Sequence, residues 1–456
     1  MLINKLLGQQ FKMFNRETTL GYVLESAILQ TSRVEDQGTD ISNIVTDFEI
    51  YEHIDKPYLT GKIIFSDHGI VEAYNIMGGE TLTLTIKCTI PKIEDSREIK
   101  KVFVIKEQLR SVKTNQKTEV VVFQLIEQHV FLSELININK AYNGNFGEII
   151  SEIMFSYLGK TVEYTDNIFE QNVKVIVPNM NPIATCLWFK NRITSTDQLP
   201  FFLFSNLGDD KLRLYDLGSM INKEPMNVSL PYVYSIASGT SQEMKKHVSI
   251  QSYDSRNTND IQKLIRSGAV SSKTGFIDTT RGTVSEVKFD AREALSALSE
   301  KDYIPKIQSS INHGFNISAN DKNIHEYESS ISTHISSTSA YQEVSGGFNS
   351  FREEPKPQGY RNRINANAIF QFMIKSPLSI RVNGIDYIMG KTPDNYTLGR
   401  NVRVLFFNNL TEDRQGYDIA KSGDYMIYGT KHIFTKERYD TNLLLAKIAN
   451  FDESSL

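Results

Sequence analysis

Apolar and polar residues alternate with a period of two through much of this chain, the pattern of strands buried on one face. Ile44-Val-Thr-Asp-Phe-Glu-Ile50 and Leu59-Thr-Gly-Lys-Ile-Ile-Phe65, joined through Pro57, predict two strands. Phe103-Val-Ile-Lys, a polar turn from Val112 to Thr118, and Val120-Val-Val-Phe123 predict a long hairpin. The same phrase returns as Tyr425-Met-Ile-Tyr, a polar turn after Phe434, and Leu443-Leu-Leu445. Phe103 and Tyr425 are 322 residues apart, as are Phe123 and Leu445, so the copies align without a gap. Upstream, Gly79-Glu-Thr-Leu-Thr-Leu-Thr-Ile86 matches Gly399-Arg-Asn-Val-Arg-Val-Leu-Phe406 at an offset of 320, so one loop differs by two residues. Solenoid units recur every roughly 20 to 50 residues. The long spacing instead predicts two β-modules near the two ends of the chain.

Near Leu132 the period changes. Ile149, Ile150, Ile153, Met154, Tyr157 and Leu158 fall on one helical face, with Gly159 as the stop. Asn181 before Pro182 predicts an N-cap and a first helical position, and Ala184, Leu187 and Trp188 continue that apolar face. Pro200-Phe-Phe-Leu-Phe204, a Gly208 turn and Leu212 to Leu217 then read as a hairpin.

Further on, Ile261 to Arg266 predicts a short helix and Thr283 to Phe289 a strand. Asp290 to Gly359 is rich in Ser, Asn, His and Lys, and Ser329 to Ser339 is nearly all small hydroxyl residues. This stretch reads as an insertion, helical around Ala291 to Leu298 and otherwise loops or mobile segments. From Arg361 the β pattern resumes, with a hairpin at Asn383-Gly384. The expected fold class is mainly β with α/β parts (α+β). Its divisions are an arm over 1–20, a first antiparallel barrel over 21–131 and an α/β connecting domain over 132–222. The second barrel begins over 223–289, is interrupted by the polar insertion over 290–360, and continues with the tail over 361–456.

Composition narrows the function more than it identifies it. Of 456 residues, 40% are hydrophobic and 10% aromatic, enough for several cores, and the net charge of −4 offers no global basic field for nucleic acid. No apolar stretch reaches the length of a membrane-spanning helix, and Met1 to Gly8 lacks the apolar run and cleavage site of a secretory signal. Cys88 and Cys186, in a predicted strand and a predicted helix, read as buried free thiols. The segment Gly384-Ile-Asp-Tyr-Ile-Met-Gly390-Lys391-Thr392 ends like a phosphate-binding loop. Five residues separate its glycines where that motif has four, and its alternation suits a strand. His325 and His334 read as solvated, as do the paired carboxylates Asp209-Asp210 and Glu353-Glu354. Phe201, Phe202 and Phe204 read as core, and Lys245-Lys246-His247 as a charged surface turn. No catalytic, cofactor or metal motif emerges.

The order of these features resembles the central baseplate hub subunits of contractile-tailed phages of the T-even type, relatives of the amino-terminal part of type VI secretion spike proteins. The residues that carry it are Ile44 to Glu52 with Pro57 to Phe65, then Ala141-Tyr-Asn-Gly-Asn with the Ile149 helix. Val177 to Pro182 leads into the Trp188 helix and the Phe201 to Leu217 hairpin, and Ser422 to Ile427 with Lys431-His432-Ile-Phe434 and Tyr439 complete the set. The resemblance covers about residues 20–290 and 360–452; the Ser-rich insertion departs from it.

What it implies is a structural protein of the virion tail baseplate, assembled in the host cytoplasm, without enzymatic activity or cofactor. Three chains with two tail-tube-like barrels each would form a pseudo-sixfold ring between a threefold central spike and the sixfold tail tube, around a channel for DNA. The implied partners are two further copies, the spike protein, tail tube and inner baseplate proteins, and a tape-measure protein, with no sequence-specific nucleic-acid binding and no membrane insertion. Strands Leu82, Leu84, Ile86 and Val402, Val404, Phe406 are the candidate subunit interface. Two other readings remain open from the residues: a tail-associated cell-wall hydrolase, and a receptor- or carbohydrate-binding tail protein.

Overall fold

The structure, a computed structural model, describes residues 21–450 apart from 32–37, 89–96, 117, 170–172, 235–247, 256–260, 279–281, 294–317, 337–356, 375–376, 385–386, 388–395, 409–415, 419–420 and 437. The first module contains β1 (Tyr22–Gln30), β2 (Thr39–Asp40), β3 (Val45–His53), β4 (Thr60–Asp67), a turn of helix α1 (Ile70–Ala73), β5 (Thr81–Cys88), β6 (Glu98–Lys113) and β7 (Glu119–Glu127). Alternate residues of these strands, among them Phe48, Ile63, Phe65, Leu84, Phe103 and Phe123, point into one apolar cluster, as the period-two pattern requires.

The connecting domain follows. It comprises α2 (Gln128–Glu134), β8 (Ala141–Gly144), α3 (Phe146–Leu158), β9 (Val162–Tyr164), β10 (Val173–Ile176), α4 (Pro182–Lys190), β11 (Phe201–Ser205), β12 (Leu212–Asp216) and α5 (Leu217–Ile221). Helix α3 is capped by the Asn145 side chain and stopped by left-handed Gly159 at φ 65°. In α4 the Asn181 side chain accepts the Ala184 N–H and Pro182 sits in the first turn. The β11–β12 hairpin pairs Phe201 with Asp216 through Ser205 with Leu212, and Phe201, Phe202 and Phe204 are core residues.

Beyond it lie β13 (Tyr232–Tyr234), β14 (Ser252–Ser255), α6 (Ile261–Arg266), β15 (Ser271–Asp278), β16 (Thr283–Asp290), β17 (Ser318–Ala319), β18 (Lys322–Asn323) and β19 (Ser330–Ser336). Helix α7 (Pro357–Met373) precedes β20 (Leu378–Asn383), β21 (Asn401–Asn408), β22 (Gly416–Tyr417), β23 (Gly423–Thr435) and β24 (Tyr439–Asn450). The second module is built like the first. Where one reads β3-β4-β7-β6-β5-β1, the other reads β14-β20-β24-β23-β21-β13.

The correspondence reaches single hydrogen bonds. Thr81 pairs with Val104 as Asn401 pairs with Met426. The Gly79 N–H donates to the Ile105 carbonyl at 2.8 Å, and the Gly399 N–H donates to that of Ile427 at 2.8 Å. Both glycines have positive φ, 92° and 70°, which is why the phrase opens on glycine in both copies. Alanine at Gly399 would also bring a Cβ within 2.5 Å of Met220 Sδ, whereas Gly79 has nothing within 4 Å. Gly399→Ala is therefore expected to destabilise by about 1–3 kcal/mol and to exceed Gly79→Ala, as urea denaturation would measure; equal losses would refute the crowding.

Two departures separate the modules. Phe103 faces Glu127, but Tyr425 faces Lys447, so the returning strand runs at an offset of 320 and the second hairpin is tighter than a gapless 322 alignment implies. A shift of two residues keeps every side chain on its face, so the pattern conceals it. Strand β1 also runs antiparallel to β5, whereas β13 runs parallel to β21.

Other expectations need correcting. The hydroxyl-rich run is not simply a loop: Ser330–Ser336 forms β19, paired in parallel to β15 in a small sheet with β16. Strand backbones pair regardless of how polar their side chains are. Arg361 to Met373 is helical rather than β, as part of α7, and its many Asn and Arg residues obscure any apolar stripe. Asn383 ends β20, whose partners among the described residues are the remote β14 and β24, and most of the hairpin segment expected after Gly384 lies outside the described residues. The arm, most of Ala291 to Leu298, Lys245 to His247, Glu353-Glu354 and Gly390 to Thr392 lie outside the described residues.

Candidate assembly interface

The two modules meet edge to edge. Residues Asp47–His53 of β3 pair antiparallel with Gly429–Thr435 of β23, which fuses both modules into one 14-stranded sheet. Strand β23 is long enough to serve two neighbours: its first part pairs with β21 and its last part with β3. At the seam Phe434 stacks on Phe48 at 4.4 Å with planes 10° apart, and on Tyr439 at 4.3 Å. Tyr22 meets Phe434 edge-on at 5.0 Å, and its hydroxyl donates to the Thr435 carbonyl at 2.7 Å. Burial pushes the Tyr22 hydroxyl pKa up, with the Asp47 carboxylate adding to it.

Polar groups fix the register of this apolar contact. Lys431 Nζ lies 2.8 Å from the Glu49 carboxylate across the seam. Burial opposes the Glu49 charge, but bonds from Lys431 and Tyr51 outweigh it and hold the carboxyl below its ordinary pKa. Deeper in, Tyr439 Oη and His432 Nδ1 are 2.7 Å apart, and His432 Nε2 lies 3.5 Å from Glu52 Oε2. The other Glu52 oxygen accepts the Leu207 N–H from the connecting domain. Both Glu52 and His432 are buried, so all three parts of the chain meet at one enclosed pair.

A second enclosed carboxylate ties the connecting domain to the first module. Glu127, at the end of β7, accepts the Leu59 N–H at 2.9 Å and Lys160 Nζ at 2.9 Å, with His129 Nδ1 at 3.5 Å. Burial raises its pKa, yet the contacts with His129, Lys101 and Lys160 overcome this and leave the carboxyl far below its usual range. Asp209 is half-buried in a bidentate pair with Arg213, whereas Asp210 is solvated as expected, with one oxygen 2.7 Å from buried Lys101. His325 is also partnered, 3.1 Å from Asp290.

Within the single chain, the residues expected at the subunit interface sit inside their own modules. Leu82, Leu84 and Ile86 on β5, and Val402, Val404 and Phe406 on β21, are buried in the cores of their modules. Their backbones are occupied too, β5 lying between β1 and β6, and β21 bonding to β23 over Asn401–Val404 and to β13 over Val404–Phe406. Neither is a free edge, because β1 and β13 cover them. The residues at the actual seam were visible in the phrases Ile44 to Glu52 and Lys431 to Tyr439, but period-two alternation does not say which strand lies alongside. Cys186 is a buried free thiol whose pKa burial pushes up. Among the described residues no group of three or more His, Cys, Asp or Glu side chains is placed to hold a metal, and no helix is long and apolar enough to cross a membrane.

No family model matches the chain, and no curated protein sequence matches it. Solved structures do. The tail protein from Neisseria meningitidis MC58 is similar over 94% of this chain and 97% of that one, with a TM-score of 0.50 at 12% identity. The 43 kDa tail protein of prophage MuSo2 from Shewanella oneidensis aligns over 93% and 98%, with a TM-score of 0.49 at 9% identity. An E. coli type VI secretion component aligns over 93% and 77%, with a TM-score of 0.40 at 8% identity. The chain therefore has a mainly β fold, built around a large antiparallel sheet, that is similar to the fold of the Neisseria tail protein along nearly its whole length.

Proposed function

We propose that this chain is a structural hub protein of a contractile phage tail baseplate, located in the virion after assembly in the host cytoplasm. Three copies form a ring of six barrels, with a threefold central spike on one side and a sixfold tail tube on the other. Inner baseplate proteins and a tape-measure protein are the further neighbours, and the role is mechanical. The observation that carries this is the pair of modules with one strand order and one hydrogen-bond register, already joined edge to edge in a single chain. Head-to-tail contacts that repeat either close into a ring or run on as a filament, and duplication lets a trimer present six near-equivalent positions. The net charge of −4 suits a channel through which DNA passes without sticking. Mass photometry of the purified chain is expected to show a particle of three chain masses, and negative-stain images a ring with sixfold modulation. A monomer that persists at all concentrations, with no ring in the assembled particle, would overturn the proposal.

A further inference from the structure

Around His432 the inner face of the seam is polar, and its polar atoms do not satisfy one another. Residues directly opposed on antiparallel strands share a face, so β3, β23 and β24 lay out three rows of side chains. The first is Glu52, Thr430 and Leu443, the second Ile50, His432 and Thr441, and the third Phe48, Phe434 and Tyr439. All nine residues are buried. The third row is the aromatic stack. The first two hold Glu52 Oε2, Thr430 Oγ1, His432 Nε2 and Thr441 Oγ1, none of which has a hydrogen-bond partner among the described residues. Enclosed polar groups in folded proteins nearly always have one.

The two ionisable groups are anchored at their far ends and open toward each other. His432 Nδ1 is engaged by the Tyr439 hydroxyl, and Glu52 Oε1 by the Leu207 N–H. Their near ends, Nε2 and Oε2, stand 3.5 Å apart, beyond the hydrogen-bond range of about 2.7–3.2 Å. Thr430 lies directly opposite Glu52 and two residues before His432 on the same face. Its side chain is shorter than those of Glu52 and Leu443 on either side, so the space above its hydroxyl is framed by the two open ends.

We propose that this space binds one enclosed water molecule, held by Thr430 Oγ1, Glu52 Oε2 and His432 Nε2. A buried water typically makes about three hydrogen bonds. Because it both donates and accepts, it suits a carboxylate, a hydroxyl and either tautomer of the imidazole. The donor set favours water over a metal ion: among the described residues no third His, Cys, Asp or Glu joins Glu52 and His432, and a structural metal site takes about four such ligands. Thr441 Oγ1 lies across His432, two strands from Glu52, and is outside the site. Glu52 comes from the first module, Thr430 and His432 from the second, and Leu207 from the connecting domain, so the water bridges the seam where all three parts meet. A slip of two residues between β3 and β23 would keep every side chain on its face but would part Thr430 from Glu52. The site therefore pins a register that alternation alone leaves open.

The test is Thr430→Val in the full chain, a swap that keeps the branched shape and removes only the hydroxyl, read by urea denaturation. If the hydroxyl holds a water, its loss leaves that water short of a partner, and the unfolding constant should rise about two- to tenfold. If the hydroxyl is buried with nothing to bind, valine relieves a cost, so an unchanged or lower unfolding constant overturns the proposal. A high-resolution crystal structure of the unmodified protein gives an independent readout. One density peak is expected within about 2.5–3.2 Å of Thr430 Oγ1, Glu52 Oε2 and His432 Nε2. No peak would mean a dry site, and contacts near about 2.1 Å a metal ion; either result overturns the proposal. Every contact lies within one chain, so the outcome does not depend on the trimer.

Discussion

Phe434→Ala is expected to cost the folded chain about 3–5 kcal/mol and to divide one thermal transition into two. Phe434 belongs by sequence to the second module, yet its ring is buried in the apolar cluster of the first. It stacks between Phe48 and Tyr439 and touches Tyr22 edge-on. Truncation removes the stacked contacts and leaves a cavity between strands from both modules, which the flanking ladder holds open. The backbone pairing of β3 with β23 survives, so each module keeps its own core, but the apolar coupling between them is lost. Scanning calorimetry would measure this. An unchanged single transition with a loss below about 1 kcal/mol would show that the seam does not couple the modules.

The seam also shows what the sequence could reveal. Strands were legible because one face of each is buried, and the presence of two similarly ordered strand sets was signalled by a phrase written twice. Helices α3 and α4 were legible because Asn145, Gly159, Asn181 and Pro182 act locally, through caps and stops that sit within a few residues of what they terminate. Long-range pairing was not. Nothing in the alternation of Asp47 to His53 or Gly429 to Thr435 says that these two edges meet, and Leu82 to Ile86 looked equally suited to an edge until β1 was found to cover it. The enclosed ionic groups were hidden for a related reason. Glu52, Glu127 and His432 look like ordinary surface charges in a linear reading, and only the convergence of three parts of the chain buries them. Helix α7 failed differently, since Asn362 and Asn365 are buried polar residues on a helix whose apolar stripe is weak.

Glu127→Ala is expected to destabilise the protein by about 3 kcal/mol, with a loss that depends on pH. The carboxylate is almost fully enclosed and holds together the Leu59 backbone, Lys160 and the His129 ring. Removing it leaves the Lys160 charge without that partner and the Leu59 N–H without an acceptor, and the residual exposure of Lys160 keeps the loss at the lower end of the range for broken buried pairs. Glu127→Gln keeps an acceptor for Leu59 and loses only the charge, so it should cost less. Because the folded carboxyl lies below the unfolded value of about 4.3, its contribution is complete above that value and drains away as pH falls toward the folded one. The stability gap between the native protein and Glu127→Gln should therefore be widest near neutral pH and shrink steadily once the pH passes below about 4. Urea denaturation of both proteins across that range would decide it. A gap of constant size from neutral to acid pH would mean that the charge of Glu127, and hence its pairing with Lys160 and His129, does not hold the connecting domain to the first module.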